Sequence, residues 1–288
     1  MIVFVTRPCW RDYALWQNAR PRLDFEQGSW RARSICDSAG LIRMMARLKA
    51  GSGVRRSVCI CRTGAMREFE TARFNMVESQ IHANSVTDSR LLATMSTIAR
   101  EAFVPASRRS LAYLDGDVEI SPGDDGGQRR YLMAAMPFAR LVQLADIRRG
   151  DLVLDIGCGS GYSAAVLSHL TDSVVALESD EKLAQTATAT LIDLGIDNVA
   201  VVTGPLEQGY AKQGPYDVIM IEGAIPEPPG ALFAQLKDGG RLVAVINTGP
   251  LGRAYCFVRS GEVTSGEAAF DANVPALPGF EKAGGFVF

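Results

Sequence analysis

The segment Leu152-Val-Leu-Asp-Ile-Gly-Cys-Gly-Ser-Gly-Tyr162 restricts the fold of this chain more than any other part of the sequence. An apolar run leads directly into a turn with glycine at every second position, and a helical pattern begins at Tyr162. Gly157, Gly159 and Gly161 let the backbone turn sharply and approach a ligand that side chains would exclude. The segment therefore predicts a buried strand, a ligand-binding turn and a crossover helix.

Strands and helices alternate through the rest of the chain after this turn. The strand patterns are short, apolar on both faces and rich in valine and isoleucine, which is typical of parallel strands joined by crossover helices. The sequence therefore predicts an α/β fold with a Rossmann-like, doubly wound, mostly parallel seven-stranded sheet and helices on both faces. The predicted strands are 152–156, 174–178, 199–203, 217–221, 241–246, 254–259 and 270–274, and the predicted helices are 162–170, 181–194 and 231–236.

The chain before residue 148 carries helical patterns and predicts an N-terminal helical extension. Apolar residues at helical spacing predict helices at 69–80 and 89–100, and Thr87 or Asp88 can cap the second. Residues 121–127, rich in glycine and aspartate, predict a loop. The apolar pattern that follows predicts a helix over residues 130–147.

Residues 1–65 differ from the rest in composition, because twelve basic residues stand against four acidic ones. No long periodic pattern organises them, and residues 41–48 predict at most a short basic helix. Two interpretations are open: a basic, aromatic arm that touches nucleic acid, or a loosely ordered extension that starts too far upstream. The pattern favours the second. We therefore expect an extension over 1–65, a helical part with a substrate-side loop over 66–147, and a cofactor-binding domain over 148–288.

Composition argues against several classes of function. The formal net charge is −2, so no overall field attracts nucleic acid, which is not expected as a partner. We find no run of about 18 apolar residues that predicts a membrane span, and we expect no secretory signal at the start. The six cysteines show no CxxC spacing, so we expect reduced thiols in the cytoplasm and no metal site.

Two acidic residues mark the ends of the first two strands of the predicted sheet. Asp155 lies near the end of the first strand. Glu178 ends the second, about 20 residues after the glycine turn, where it can accept hydrogen bonds from ribose hydroxyls or cap the helix that follows. The usual fingerprint for a nicotinamide dinucleotide needs a third glycine where this chain has Tyr162. The pattern therefore favours a different ribose-containing cofactor.

Five blocks of sequence resemble, in order, the protein-L-isoaspartate O-methyltransferase family of class I methyltransferases. The resemblance covers about residues 66–288 and implies methyl transfer from S-adenosylmethionine to a side-chain carboxylate of a protein or peptide, as in protein repair. The blocks are Arg100-Glu-Ala-Phe-Val-Pro105, Leu111-Ala-Tyr-Leu-Asp115, the glycine turn with its flanks, Gly214-Pro-Tyr-Asp217 and Gln235-Leu-Lys-Asp-Gly-Gly-Arg-Leu-Val243. The implied cofactor contacts are Asp155, Gly157, Cys158, Gly159, Ser160, Gly161, Glu178, Pro205 and Leu206.

The chain departs from that family in two places. Family members carry a Gly-Gln-Thr-Ile-Ser-like segment whose hydroxyls lie beside the transferred methyl group, whereas this chain reads Gly127-Gln-Arg-Arg-Tyr-Leu-Met133. Gln128 is kept and the hydroxyl residues are not. Members also carry Gly-Asp-Gly after the third strand, whose aspartate reaches the adenine, whereas this chain reads Gly204-Pro-Leu206.

The altered segment suggests replacements on the acceptor side of the site, where we place Gln128, Arg129, Arg130, Tyr131 and Glu222. Arg129 or Arg130 can hold a substrate carboxylate with paired donors, and Tyr131 can supply a hydroxyl. Glu222, just past the fourth predicted strand, can orient a substrate or bind the cofactor. Its charge would repel an anionic acceptor unless it is protonated or paired. The alternative function is a methyltransferase-fold protein that binds S-adenosylmethionine with a different acceptor or without catalysis. The oligomeric state stays open.

Overall fold

The computed structural model describes residues 33–36, 41–50, 53–62, 64–123, 128–247, 249 and 251–281 of the chain. The chain divides into two compact units, Met1–Thr63 and Gly64–Phe288. In the first unit, strands β1 (Arg33–Cys36), β2 (Leu41–Ala50) and β3 (Gly53–Arg62) form an antiparallel sheet in that order. Residues 64 and 65 of the predicted 1–65 extension begin the helix that opens the second unit, and its remaining residues lie outside the described part.

The short helix predicted over residues 41–48 is wrong. These residues belong to β2, which pairs with β3 along its whole length, from Leu41 opposite Arg62 to Ala50 opposite Gly53. A short isolated helix is marginal in water, so strand partners that pair with its backbone groups decide the conformation. Such partners are non-local features, which helical periodicity does not reveal.

Helices open the second unit, as predicted. Helix α1 (Gly64–Met76) continues into a π-helical turn (Val77–Ile81), and α2 (Ser89–Thr97) follows. Asp88 caps α2, because its carboxylate accepts hydrogen bonds from the backbone N–H groups of Arg90 and Leu91. A hairpin of β4 (Val118–Ser121) and β5 (Arg130–Leu132) then leads into α3 (Ala135–Ala145).

The hairpin corrects the predicted helix over residues 130–147, because Arg130–Leu132 is a strand. Val118 pairs with Leu132, and Ser121 pairs with Arg130. Arg130 and Leu132 are buried while Tyr131 between them is partly exposed. This two-residue alternation is typical of a strand, and three residues are too few for the pattern to stand out in the sequence. Residues 124–127 of the predicted loop lie outside the described part.

The predicted mostly parallel seven-stranded sheet is confirmed, with strand order β12-β11-β10-β9-β6-β7-β8. The five strands from β10 to β8 are parallel, and β11 and β12 add an antiparallel end. The strands are β6 (Leu152–Ile156), β7 (Ser173–Glu178), β8 (Val199–Thr203), β9 (Tyr216–Ile225), β10 (Leu236–Ile246), β11 (Arg253–Ser260) and β12 (Val263–Asp271), and the helices between them are α4 (Tyr162–Ser168), α5 (Glu181–Asp193) and α6 (Gly230–Ala234).

The last strand begins earlier than the predicted 270–274. Ser260 pairs directly with Val263, so only Gly261 and Glu262 turn the chain between β11 and β12. Gly261 has a φ of +60°, which suits a two-residue hairpin turn. The sequence pattern does not indicate this hairpin, because β12 is mostly exposed and carries no continuous apolar run.

Two buried clusters fill the two faces of the sheet. One face carries Val153, Val218 and Val243 under α3, α4 and α5, and the other carries Leu154, Ile219 and Leu242. The second face is covered by α6 together with Leu206, Leu277 and Phe280. Within the described ranges, no helix is both long and apolar enough to cross a membrane.

Candidate functional site

The candidate site lies where the strand order reverses. Strand β6 pairs with β7 on one side and with β9 on the other, so a crevice opens at the carboxyl ends of these strands. Gly157, Gly159 and Gly161 have φ angles of +83°, +55° and +96°, which residues with a Cβ rarely adopt. The backbone N–H of Gly157 donates to the Leu177 carbonyl at 2.8 Å, which ties the turn to β7.

Asp155, near the end of β6, is fully buried and only partly satisfied. Its Oδ2 accepts a hydrogen bond from the Ser163 hydroxyl at 2.7 Å, whereas Oδ1 has no partner within the described part of the chain. Burial raises the pKa of Asp155 to about 7, and the nearby charge of Glu178 acts in the same direction. Asp155 therefore presents one unused oxygen and changes charge near neutral pH.

Glu178, at the end of β7, is equally buried but fully hydrogen-bonded. Its Oε2 accepts from the Gly159 backbone N–H at 2.8 Å and from Arg130 Nη2 at 2.9 Å. Its Oε1 accepts from the backbone N–H groups of Ser179 at 2.8 Å and Asp180 at 3.1 Å, and also pairs with Arg130 Nη1. The predicted ribose acceptor is thus held by a two-pronged ion pair. Helix α5 is capped by Asp180 instead.

Arg130 does not lie where the sequence analysis placed it. The side chain is 5% exposed, and its guanidinium binds Glu178 and donates to the Gly157 carbonyl at 3.2 Å. It is therefore engaged on the cofactor side and is not available to hold a substrate carboxylate in this conformation. The reason is that successive side chains of β5 point to opposite faces, which turns Arg130 inward. Arg129, just before the strand, is exposed.

Glu222 and Tyr131 meet at a small cavity beside the glycine turn. Both line a space of about 10 Å³ together with Gly157, Cys158 and Tyr162, which is room for about one water molecule. Glu222 Oε1 is buried without a partner among the residues described. Burial, reinforced by the charge of Asp155, raises the pKa of Glu222 well above its usual range.

Gln128 and Arg129 lie at the exposed outer edge of the site. Gln128 donates from Nε2 to the Glu281 carboxylate. Beyond Arg130, a cavity of about 420 Å³ opens to solvent. Its lining comes from the β4–β5 hairpin, the start of α5 and the C-terminal segment, and consists of Ser121, Gly123, Gln128, Arg130, Ser179, Asp180, Glu181, Lys182 and Pro278.

The remaining predicted cofactor contacts differ in accessibility. Cys158 is buried, and burial raises the pKa of its thiol well above the usual range, which fits a space-filling residue rather than a nucleophile. Ser160 is buried, and its hydroxyl has no partner in the described part. Pro205 is exposed after β8, whereas the Leu206 side chain packs in the core of the second face.

Two apolar side chains that the sequence analysis did not identify cover the glycine turn. A Cβ on Gly157 would lie 2.7 Å from Leu277 Cδ1, and a Cβ on Gly159 would lie 2.7 Å from Ile120 Cδ1. Leu277 reaches the turn because the C-terminal segment pairs with β9. The Ala224 N–H donates to the Pro275 carbonyl at 2.8 Å, and the Leu277 N–H donates to the Ala224 carbonyl at 2.9 Å. No sequence motif indicates this pairing.

Arg100, in the first block of the resemblance, is a third residue that was not predicted to contribute to the site. It is buried, donates to the carbonyls of Ala112 at 2.8 Å and Met133 at 2.6 Å, and lies 4.7 Å from the Tyr162 ring centroid. Its positive charge opposes the rise in the pKa of Glu222. The arginine in the quoted Arg-Glu-Ala-Phe-Val-Pro block was the available signal.

The residues present fit S-adenosylmethionine at one end of the crevice. Asp155 Oδ1 and the Ser160 hydroxyl are buried polar atoms without partners in the described part, beside a turn whose glycines let a ligand approach the backbone. Such atoms are costly unless a ligand or water completes their hydrogen bonds. Glu178, the predicted ribose acceptor, ends β7 at the same edge of the sheet, and in this structure its carboxylate is paired with Arg130. No cluster of three or more potential metal ligands occurs among the described residues.

Comparison with known proteins identifies the same family over most of the chain. The family model described as protein-L-isoaspartate(D-aspartate) O-methyltransferase matches residues 71–267. A protein-L-isoaspartate O-methyltransferase of Koribacter versatilis is 37% identical over 187 residues, covering 65% of this chain and 82% of that protein. One from Methanoculleus marisnigri is 40% identical over 184 residues, covering 64% and 79%.

Solved structures agree with the sequence matches. A protein-L-isoaspartate O-methyltransferase structure has a TM-score of 0.64 and 27% identity, covering 72% of this chain and 67% of that one. A putative family member from Plasmodium falciparum, in complex with S-adenosyl-L-homocysteine, has a TM-score of 0.60 at 20% identity, which supports the fold. It covers 72% of this chain and 98% of that one. With its match over residues 71–267 and its seven-stranded sheet, this chain belongs to the protein-L-isoaspartate O-methyltransferase family.

Proposed function

We propose that this chain transfers a methyl group from S-adenosylmethionine to the side-chain carboxylate of isoaspartyl residues in proteins or peptides. The observation that carries the proposal is the family match over residues 71–267, which spans the glycine turn and both strand-end acids. The expected setting is protein repair in the cytoplasm.

The cofactor side of the site follows from β6 and β7. S-adenosylmethionine, when bound, supplies a methyl group activated by a positively charged sulfur. Asp155 and the turn from Gly157 to Gly161 would hold its amino-acid end, and Glu178 its ribose. Pro205 and Leu206 follow β8, where the adenine is expected. Pro205 has no polar side-chain atom, so shape rather than a side-chain hydrogen bond would recognise the base.

The acceptor side needs alignment more than a strong base. A carboxylate is already ionised at neutral pH, so the protein has to position it and exclude water. Burial raises the pKa of Glu222 and so favours its uncharged form, which weakens the repulsion that an acid at this position would exert on that carboxylate. Tyr131 shares the small cavity with Glu222 and offers a hydroxyl, and the exposed Gln128 and Arg129 can contact the peptide around the acceptor.

The proposal is tested by calorimetric titration with S-adenosylmethionine and by methyl incorporation into an isoaspartyl peptide, with the normal aspartyl peptide as the control. We expect binding, and methylation of the isoaspartyl peptide alone. Tyr131→Phe should lower kcat/KM about tenfold or more, which corresponds to about 1.4 kcal/mol, without weakening cofactor binding. Tight cofactor binding with no methylation of either peptide would contradict the proposed acceptor.

A further inference from the structure

The Glu178 carboxylate has no hydrogen-bonding capacity left for a ligand. A carboxylate offers about four lone-pair sites on its two oxygens. Glu178 already accepts from the backbone N–H groups of Gly159, Ser179 and Asp180 and from both guanidinium nitrogens of Arg130. Ribose hydroxyls can bind this carboxylate only if one of these donors leaves.

Arg130 is the donor that can leave. The three backbone N–H groups are fixed by the glycine turn and by the start of α5, whereas the guanidinium is at the end of a flexible side chain. Arg130 also lines the cavity of about 420 Å³, where the two acidic neighbours Asp180 and Glu181 outnumber the one other cation, Lys182. A displaced guanidinium therefore has both space and opposite charge close to its present position.

We propose that Arg130 is an internal counter-ion that occupies the ribose acceptor Glu178 and that cofactor binding displaces it. The inference rests on the proposed function, because it takes S-adenosylmethionine as the ligand of Glu178. Arg130 is thus a positioning residue: it orients Glu178 and neutralises a buried carboxylate while the ribose is absent. The apparent affinity for the cofactor is then the intrinsic affinity multiplied by the fraction of molecules in which Glu178 is free, so a small free fraction weakens binding.

The test measures cofactor affinity and thermal stability together in Arg130→Ala. This variant leaves Glu178 buried without its cation, so Tm should fall by about 5 °C or more. S-adenosylmethionine should nevertheless bind about tenfold more tightly or better, as expected when the free form was at most about a tenth of the population. A residue that only braces the fold would lower both Tm and affinity.

Two controls separate displacement from other effects. Arg149→Ala removes the same charge from an exposed ion pair with Asp172 and should leave both quantities unchanged. Guanidinium chloride, added to Arg130→Ala far below denaturing concentrations, should weaken cofactor binding more than equal sodium chloride, because the free cation can reoccupy Glu178.

Each outcome decides the proposal. Tighter binding with a lower Tm supports it. Unchanged or weaker binding by folded Arg130→Ala, with wild-type protein binding normally, overturns it and leaves the methyltransferase function intact. Absence of S-adenosylmethionine binding to the wild type and to every variant overturns the proposed function and this inference with it.

Discussion

Asp155 and Glu178 end neighbouring parallel strands and are equally buried, yet their surroundings differ completely. Glu178 accepts three backbone hydrogen bonds and an arginine ion pair, whereas Asp155 accepts one hydroxyl hydrogen bond. The charge of Glu178 is therefore compensated by Arg130, whereas the pKa of Asp155 rises to about 7. The difference shows that a strand end places a carboxylate in the crevice, and that its neighbours decide how many of its hydrogen-bonding sites are already filled.

The largest expected effect is on the ion-paired side. Glu178→Gln should lower the free energy of unfolding by about 3–5 kcal/mol, because glutamine removes the charge that pairs with Arg130 and cannot accept from all three backbone N–H groups. The measurement is urea denaturation at pH 7. The matched variant Asp155→Asn, equally buried but without a cation partner, should not lower stability by more than about 1.5 kcal/mol, because it also removes a carboxylate whose charged form burial disfavours. Equal losses in the two variants would show that the comparison between the two acids is wrong.

An intermediate effect is expected in the glycine turn that follows β6. Gly157→Ala adds a Cβ 2.7 Å from Leu277 Cδ1 at a φ of +83°, whereas Gly195→Ala adds one at +71° with nothing within 4 Å. Both substitutions should lower the free energy of unfolding by about 1–2 kcal/mol through backbone strain. Only Gly157→Ala should cost about 1–3 kcal/mol more, through crowding against Leu277.

Denaturation of the two single variants measures this difference. Leu277→Ala, combined with Gly157→Ala, should remove part of the added cost, so that the two changes are not additive. Similar losses for Gly157→Ala and Gly195→Ala would mean that the C-terminal segment does not press on the turn.

The smallest effect, taken per pH unit, is a pH dependence on the Asp155 side. The native carboxyl keeps its proton up to about pH 7, whereas the unfolded one loses it near pH 4, so the native state binds more protons between these values. The stability from this group is therefore fully present below about pH 4 and is lost as the pH rises to about 7. The slope is at most about 1.4 kcal/mol per pH unit. The measurement is the free energy of unfolding of the wild type and of Asp155→Asn between pH 5 and 8. The wild type should lose stability relative to the variant as the pH rises. Equal pH dependence of the two proteins would show that Asp155 titrates normally.

Most of the sheet could be predicted from the sequence, because each of its strands is a short run of apolar residues and clear turn signals separate the runs. The glycine turn and the strand-end acids Asp155 and Glu178 were predicted for the same reason, since a parallel sheet brings its carboxyl ends to one edge. The strand at Arg130–Leu132 and the early start of β12 were missed, because both depend on a hairpin partner rather than on periodicity.

What the sequence determined by itself is thus the fold class, the crevice and the acids that line it, because strand-turn-helix patterns are encoded by neighbouring residues. What only the tertiary structure decided is the partner of each acid. Arg130 reaches Glu178 from a hairpin and Leu277 reaches Gly157 from the C-terminal segment, both far away in sequence. Contacts of this kind follow from how separate segments pack together, and no local pattern of residue types specifies them.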